Sequence, residues 1–436
     1  MASGFPRIAV RLLLALAAFV TASSAHANWL ETPPALPAPT GNVVNVSTVA
    51  QLQSAIASLT SNTTVVIAPG TYRLTSPLYV RGPLTDVVIR GATNHRDDVR
   101  IEGLGVQNSS IQYGFWIGGN ILRLTVANLT VREVYTHPII VNTLNGAMPQ
   151  NLRIYNVHLI NGGEQLMKVN PGDNNAGSNN GIVEYSSFEY SPTSRDWYAN
   201  AFQVLAGSNW IIRNNLIRNI RPPSGAEAGP AVLSWFAATN TTVEGNTFIN
   251  CQREISLGLI DRGPTSSPAA NFDNQGGIIR NNFIYRDATV EGGDVAIAVF
   301  DSPNTKVLNN TIFIEGSYPN AIEYRFAQTT GVLIANNLIN DGKAIRARDG
   351  ATATLTNNYL NATISMFVNA PAGDLRLLPT ASAAIDKGTA NPDVTTDWAG
   401  NARPSGGAPD LGADELMASM APPSAPRNFR IISVTK

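Results

Sequence analysis

A short motif of the form apolar-x-Asn-Asn-x-apolar recurs along most of the chain, and it limits the possible folds more than any other feature. It is clearest at Asn214-Asn215, Asn281-Asn282 and Asn336-Asn337. The aligned positions are 128, 156, 187, 215, 246, 282, 310, 337 and 358, with Ser187 in place of asparagine, and their separations are 28, 31, 28, 31, 36, 28, 27 and 21 residues. Near-regular spacing in this range indicates a solenoid, in which each repeat contacts its neighbours.

The residues around the motif predict short strands rather than helices. Apolar and polar residues alternate, as in Val243-Glu244 and Ile279-Arg280, whereas a helix would place apolar residues at i, i+3 and i+4. A leucine-rich repeat would show a dense leucine frame, which this sequence lacks. Asparagine at a tight turn can adopt the left-handed backbone conformation, and stacked asparagines can hydrogen-bond from coil to coil. We therefore predict coils of parallel strands stacked about 4.8 Å apart.

These repeats resemble the right-handed parallel β-helix superfamily over residues 44–380. Two further stretches match it: residues 47–56 suit a short capping helix with Thr48 and Gln51 as its capping box, and residues 65–72 are similar to the first coil. The resemblance implies an all-β solenoid of about ten coils with an N-terminal capping helix. The superfamily holds pectate, alginate and chondroitin lyases, polygalacturonases, epimerases and phage tailspikes, which implies a polysaccharide partner.

The N-terminus has the order of a secretory signal peptide. Arg7 and Arg11 precede the apolar run 12–20, and Ala25-His26-Ala27 supplies a cleavage site. We predict a signal peptide over residues 1–27, an N-terminal extension over 28–43, and a protein exported to the periplasm or the cell exterior. No later stretch has about 18 unbroken apolar residues, so no membrane span is expected.

The C-terminal part departs from the repeat. Residues 397–404 and 408–415 resemble the closing segment of many bacterial secreted β-helix proteins, and we assign 381–416 to that segment as a cap. Residues 417–436 contain a Pro-rich linker and a stretch that resembles the first strand of a truncated fibronectin type III module.

Composition argues against several classes of function. Charged residues make up 14% of the chain and the net charge is −1, whereas nucleic-acid binding needs a basic patch. The single cysteine, Cys251, is expected to be a small buried residue. No CxxC or HExxH spacing predicts a zinc site. The oxygen-rich loop 170–180, with Asp173, leaves calcium open as a cofactor or is a solvated turn. We expect a monomer.

The third strand of each coil is expected to form the face of a long groove. Alternation predicts that Met167, Phe202, Ile255, Ile297, Ile322 and Ile345 point inward. It predicts one outward column of Lys168, Gln203, Ser234, Ser256, Ala298, Glu323 and Arg346, followed by a second of Asn170, Phe300, Arg325 and Arg348. Residues 261–274 form an insertion that could wall the groove.

Two charged clusters along this face are candidate sites. Lys168 and Glu323 lie five coils apart, about 24 Å at the interstrand spacing, so they cannot act on one bond. The N-terminal cluster comprises His137, Glu164, Lys168, Arg195 and Tyr198. The C-terminal cluster comprises Arg253, Glu254, Asp301, Glu323, Arg325, Arg346 and Arg348. Trp235 or Phe236 lies between them and could stack on a sugar.

A uronate lyase needs a base for the proton next to a carboxylate, and a cation to stabilise the resulting charge. Lys168 with Arg195 or His137 could supply both if burial lowers the lysine pKa. Alginate and chondroitin B lyases of the superfamily use a Lys/Arg pair in this general way. The alternative for Lys168 is a solvated surface lysine.

A glycoside hydrolase needs two carboxylates roughly 5–10 Å apart, and Glu323 with Asp301 could qualify. The Asn-Thr-Asp and Gly-His-Gly signatures of polygalacturonases are absent, and Glu323 with Arg325 could instead be a salt-bridge ladder that solvates the face.

We predict a polysaccharide lyase that acts on a uronate-containing chain. A non-catalytic carbohydrate-binding adhesin and a glycoside hydrolase are the alternatives. The predicted catalytic residues are Lys168, Arg195, His137, Arg253, Glu323 and Arg325. The predicted substrate-binding residues are Trp235, Phe236, Gln203, Asp301, Arg346 and Arg348, and no metal ligand is assigned.

Overall fold

Two long parallel sheets wind together along the chain as a right-handed β-helix, as predicted. The computed structural model describes residues 33–195, 198–263 and 270–417. Each coil contributes one strand to a ten-stranded sheet, here called the groove sheet. Its strands are Leu78–Arg81, Tyr113–Gly118, His137–Asn142, Met167–Val169, Phe202–Leu205, Val232–Trp235, Ile255–Leu257, Ile297–Phe300, Asn320–Arg325 and Ala344–Arg348.

The remaining strands of the coils form a 21-stranded sheet, here called the back sheet. Its strands are Asn42–Val46, Thr63–Ile67, Gly70–Arg73, Leu84–Gly91, Val99–Glu102, Ile121–Val134, Arg153–Gly162, Ile182–Glu184, Ser187–Glu189, Ile211–Arg213, Leu216–Arg218, Thr242–Glu244, Thr247–Ile249, Ile278–Arg280, Phe283–Arg286, Lys306–Leu308, Thr311–Ile314, Val332–Ala335, Leu338–Asn340, Ala353–Thr356 and Tyr359–Ala362. Two small sheets pair Ala238–Thr239 with Asn274–Gln275 and Phe367–Asn369 with Asp374–Leu377.

The two asparagines of the motif have different tasks. The first adopts a positive φ and turns the chain between two back-sheet strands, as at Asn214 (53°) and Asn281 (53°). We call this the turn column: Asn128, Asn156, Tyr185, Asn214, Gly245, Asn281, Asn309, Asn336 and Asn357. The second asparagine points into the coil and forms the ladder Asn215, Asn246, Asn282, Asn310, Asn337 and Asn358, with amide-to-amide bonds of 2.9–3.0 Å.

This division corrects the alignment made from the sequence. Asn128 and Asn156 belong to the turn column, not to the ladder, since their φ angles are 54° and 49°. Ser186 rather than Ser187 continues the ladder, because its N–H donates to Asn215 Oδ1 at 2.9 Å and its hydroxyl accepts from Val157 N at 3.1 Å.

An apolar core runs through the coils, because alternate strand residues point inward. It includes fully buried Trp210 and Phe248. The helix Val49–Ala57 adds Leu52 and Ile56 to this core. Its Thr48 cap accepts from Gln51 N at 3.2 Å, while the Gln51 side chain accepts from Ser47 N at 2.9 Å. Short 3-10 helices lie at Arg96–Asp98, Asp173–Asn175, Ile364–Met366 and Ala370–Ala372.

Both ends of the described chain pack on the back sheet. On the N-terminal side, Arg90 donates to Pro37 O at 2.8 Å and Tyr155 donates to Pro34 O. The C-terminal segment 381–416 lies along the turn column and buries Leu411 and Ala413 against the coils. The predicted signal peptide and the linker beyond residue 417 lie outside the described residues. In the described ranges, no helix has the length and apolar character that crossing a bilayer requires.

Candidate functional site

The outward residues of the groove sheet form one continuous column, fixed by strand register. We call it the floor column: Tyr79, Trp116, Ile140, Lys168, Gln203, Leu233, Ser256, Ala298, Glu323 and Arg346. Ser234 was predicted in this column, which is wrong. It pairs with Val204 and Leu257, two inward positions, and its hydroxyl bonds Thr241 inside the coil at 2.7 Å.

The middle of the floor column is closed. Gln203 and Leu233 are both at least 96% buried, so these two positions of the floor offer a polymer almost no surface. Lys168 is half-buried on one side of the closed stretch. Arg346 is exposed on the other, beside Glu323. The predicted groove therefore has two accessible parts, which match the two charged clusters.

Lys168 lies among charged and aromatic groups in the N-terminal cluster. Burial lowers its pKa, and the nearby Glu164 carboxylate offsets part of that shift. His137 Nε2 is 3.6 Å from Glu164 Oε2, and His137 Nδ1 bonds Gln165 O at 2.8 Å. Burial lowers the pKa of His137 to about 4, so the imidazole is neutral near pH 7 and its approach to Glu164 is no ion pair.

An aromatic platform precedes Lys168 on the floor column, and sequence reasoning missed it. Tyr79 and Trp116 have ring centroids 6.0 Å apart, and Arg81 covers the Tyr79 ring at 4.4 Å. Tyr113 stacks parallel to His137 at 6.1 Å. Alternation in Leu78–Arg81 and Tyr113–Gly118 was the available signal, but neither strand was included among the predicted groove strands.

Arg195 and Tyr198 lie at the edge of this cluster. Arg195 is buried, and its guanidinium lies 4.0 Å from the centroid of the Tyr135 ring. It also donates to Val106 O at 3.2 Å and so holds the loop around Val106 in place. Tyr198 is partly exposed, and desolvation of its hydroxyl raises its pKa, a shift that the nearby Arg253 partly offsets. Tyr198 therefore reaches toward the C-terminal cluster.

A cleft of about 670 Å³ lies over the C-terminal part of the groove sheet, and we call it the C-terminal cleft. Three predicted arginines line it together with acidic partners. Arg253 Nε is 2.7 Å from Asp294 Oδ2, and its guanidinium also pairs with Glu227. Arg325 pairs with Asp349 and covers Phe326 at 4.7 Å. The volume suits a short stretch of sugar units.

Glu323 is the most buried of the carboxylates that line the cleft. It is 1% exposed, and its Oε1 accepts from Tyr318 at 2.5 Å and from Asn320 at 2.6 Å. Arg348 Nη1 donates to its Oε2 at 3.0 Å. This ring of donors fixes the carboxylate, as a positioned catalytic group or a structural anchor requires.

Tyr318 connects Glu323 to a second carboxylate that the sequence did not suggest. Burial raises the pKa of Tyr318, and its hydrogen bonds to Glu323 and Asp294 raise it further. Asp294 therefore lies close to the phenol that donates to Glu323. Glu254, in contrast, is fully buried beside Arg286 at 3.7 Å, and burial raises its pKa to about 7.

Asp301, Trp235 and Phe236 lie around the insertion after residue 258. Asp301 accepts from the N–H groups of Arg262 (2.8 Å) and Asp273 (3.0 Å), and burial raises its pKa to about 6. Arg262 covers the Phe236 ring at 4.6 Å, and Trp235 meets Phe236 edge-on at 5.7 Å. These contacts hold the insertion in place. The Asp301 carboxylate accepts hydrogen bonds from the backbone of this loop and is not paired with Glu323.

Within residues 33–195, 198–263 and 270–417, no group of three or more His, Cys, Asp or Glu side chains is placed to hold a metal ion. Asp173, in the loop considered for calcium, begins the 3-10 helix Asp173–Asn175. Cys251 is buried and unpaired by any disulfide, as expected.

No protein-family model matches the sequence, and no curated protein matches it either. Among solved structures, PfbA, a surface adhesin of Streptococcus pneumoniae, is 15% identical with a TM-score of 0.50, and the match covers 72% of this chain and 86% of that chain. The chain shares the parallel β-helix fold with that structure.

Two enzymes are also similar to this β-helix. Pectate lyase Pel9A is 14% identical with a TM-score of 0.44, over 86% of this chain and 96% of that chain. An alginate lyase from Paenibacillus sp. str. FPU-7 is 15% identical with a TM-score of 0.38, over 74% of this chain and 99% of that chain. At such identities the likeness concerns the fold alone, and a β-helix does not fix a function.

Proposed function

We propose that this is an exported polysaccharide lyase that cleaves a uronate-containing chain by β-elimination, with Lys168 as the base. The observation that carries the proposal is the position of Lys168: half-buried on the floor column, with its pKa lowered by burial. When the pKa of a lysine is lowered, a larger fraction of the molecules carries the neutral amine at pH 7, and the neutral amine can accept a proton.

The proposed β-elimination breaks a carbon–hydrogen bond and a glycosidic carbon–oxygen bond and forms one double bond. Neutral Lys168 Nζ takes the proton from the sugar carbon that bears the carboxylate. The electron pair left behind forms a carbon–carbon double bond, and the neighbouring carbon–oxygen glycosidic bond breaks. Water protonates the leaving oxygen. His137 is neutral beside Lys168 and so adds no positive charge there, whereas Glu164 partly offsets the lowering of the Lys168 pKa.

The aromatic platform supports a polymer path along the floor column. Tyr79 and Trp116 lie on coils before Lys168, where flat rings suit the apolar faces of sugars. Arg81, stacked over Tyr79, is exposed and can pair with a uronate carboxylate. The proposal therefore places bound sugars on the N-terminal side of the closed stretch.

A hydrolase at the C-terminal cleft is the second candidate, and one observation favours it. Glu323 accepts from Tyr318, and Asp294 lies close to the same phenol, so the cleft holds two neighbouring carboxylates, which glycoside hydrolysis requires. Arg253, Arg325 and Arg348 would hold anionic substrate there, with Arg346 at the rim.

The test incubates purified protein with alginate, pectate, chondroitin, hyaluronan and glucuronan, with and without calcium. Ultraviolet absorbance reports the unsaturated product of elimination, and a reducing-end assay reports any cleavage. The variants are Lys168→Ala, Glu323→Gln and Lys387→Ala. Lys387 is an exposed lysine of the C-terminal segment and serves as the matched control. We expect Lys168→Ala to lower the rate by about 10²–10⁴-fold, as loss of a general base does.

Each outcome assigns a function. Absorbance that is lost only in Lys168→Ala supports the lyase. Absorbance that survives this change contradicts the assignment of the base. New reducing ends without absorbance, lost in Glu323→Gln, indicate the hydrolase. Saturable binding of a polymer without cleavage indicates an adhesin-type protein.

A further inference from the structure

The C-terminal segment covers the turn column through a repeated contact. Four successive asparagine amides of that column each donate to a backbone carbonyl of the segment. The pairs are Asn281 to Thr396 (2.7 Å), Asn309 to Asp410 (3.3 Å), Asn336 to Thr389 (2.7 Å) and Asn357 to Lys387 (2.6 Å). The segment thus pairs with the amide N–H groups of the column as far as Asn281, and the next position along the column is Gly245.

A cavity opens where the segment ends its run along the column. Gly245 occupies a turn position that holds asparagine in both neighbouring coils, Asn214 and Asn281. Its φ is +63°, and a Cβ atom there would lie 2.6 Å from Asn214 Oδ1. Gly245 and the two asparagines line a space of about 330 Å³, to which the missing side chain of Gly245 adds room, and we call it the back cavity.

Two aromatic side chains wall the back cavity. Trp398, from the C-terminal segment, stacks on Phe283 with centroids 4.8 Å apart, and its backbone N–H donates to Ala413 O at 2.8 Å. Tyr185, from the turn column, meets Tyr155 edge-on at 5.5 Å. Both rings are half-exposed, so each still presents apolar surface to the cavity. Rigid aromatic walls of this kind offer a surface on which a sugar ring can pack.

The charged residues that line the back cavity sum to no net charge, and a buried side chain adds a hydrogen-bond acceptor. Asn281 is 5% exposed, and its Oδ1 has no hydrogen-bond partner among the described residues. This acceptor, which lines the cavity, is available to a ligand hydroxyl. Arg213 and Arg280 add two positive charges to the lining, and Glu244 and Asp397 add two negative ones. The arginines are already paired, Arg213 with Glu184 at 2.7 Å and Arg280 with Glu244 at 2.5 Å.

We propose that the back cavity binds one or two units of a neutral saccharide. Stacking on Trp398 and Tyr185, together with hydrogen bonds to Asn214 and Asn281, matches a polyhydroxylated ring. The balanced charges disfavour an anionic ligand. The site lies on the back sheet, so it is separate from the proposed cleavage site and does not depend on it.

The test measures binding by isothermal titration calorimetry, with cellobiose, maltose and mannobiose as neutral probes and digalacturonate as the acidic one. Gly245→Asn fills the cavity with the residue that neighbouring turns carry. Tyr185→Asn removes one aromatic wall and keeps a residue that tolerates positive φ. Gly331→Asn is the matched control, because Gly331 also has a positive φ (66°) with Asn304 Oδ1 2.5 Å from a Cβ position.

We expect millimolar or tighter binding of a neutral disaccharide, weakened by about tenfold or more in Gly245→Asn and Tyr185→Asn and unchanged in Gly331→Asn. Circular dichroism of each variant establishes that it is folded. No binding of any neutral probe at millimolar concentration overturns the proposal. Binding that survives Gly245→Asn, or tighter binding of digalacturonate than of the neutral probes, also overturns it.

Discussion

Replacing Asn282 by alanine should break the asparagine ladder at its centre. Asn282 is fully buried and makes four side-chain hydrogen bonds. Its Oδ1 accepts from Asn246 N (3.0 Å) and Asn246 Nδ2 (3.0 Å). Its Nδ2 donates to Val243 O (2.9 Å) and Asn310 Oδ1 (2.9 Å). These groups lie inside the coil, away from bulk water.

The expected cost follows from those four bonds. Each buried hydrogen bond contributes about 1 kcal/mol net, and a donor left unpaired costs about 1–3 kcal/mol. The N–H of Asn246 loses its partner, whereas Asn246 Nδ2 keeps a bond to Ile212 O and Asn310 Oδ1 keeps one from Asn282 N. We therefore expect Asn282→Ala to lower the free energy of unfolding by about 4 kcal/mol.

Urea unfolding followed by far-ultraviolet circular dichroism measures this change. Asn358→Ala is the control at the end of the ladder, where Asn358 is half-exposed and makes three side-chain bonds. Water can replace those bonds, so we expect a loss of about 1 kcal/mol there. Equal losses in both variants would refute the reasoning, because burial of the ladder would then contribute nothing.

Two further predictions concern titratable groups. Burial raises the pKa of Asp414 to about 6, so the folded state keeps a proton that the unfolded chain releases near pH 4. The stability from this group is present below about pH 4 and falls as the pH rises to about 6. Thermal unfolding across that range should therefore show a smaller decline in Asp414→Asn than in the original protein. Burial also raises the pKa of Cys251, so a thiol reagent should label it only after unfolding, and rapid labelling of the folded protein would contradict this.

The fold could be predicted from the sequence because each repeat of the asparagine motif corresponds to one coil. Alternation identified the inward residues Met167, Phe202 and Ile297, all fully buried. The paired asparagines obscured which residue turns the chain and which forms the ladder, because both are the same amino acid. Single asparagines such as Asn128 were therefore aligned one position off, and only the φ angle separates the two tasks.

The candidate site was less predictable, because the strand register and the loop contacts determine which side chains line it. Ser234 was assigned outward by counting, but Val232 rather than Leu233 pairs with Phe202. Asp301 was assigned to the substrate, but the insertion folds back onto its carboxylate. Asp294 lies in a loop between strands and has no periodic position, so no sequence pattern connects it to Tyr318.

The contacts of the C-terminal segment change how the last coils can unfold. In an ordinary solenoid each coil touches only its neighbours, so the end can fray one coil at a time. Here one segment bonds coils from Asn281 to Asn357 at once. Opening of the last coil therefore also strains contacts three coils away, so this third of the molecule should exchange its amide protons as a single cooperative unit.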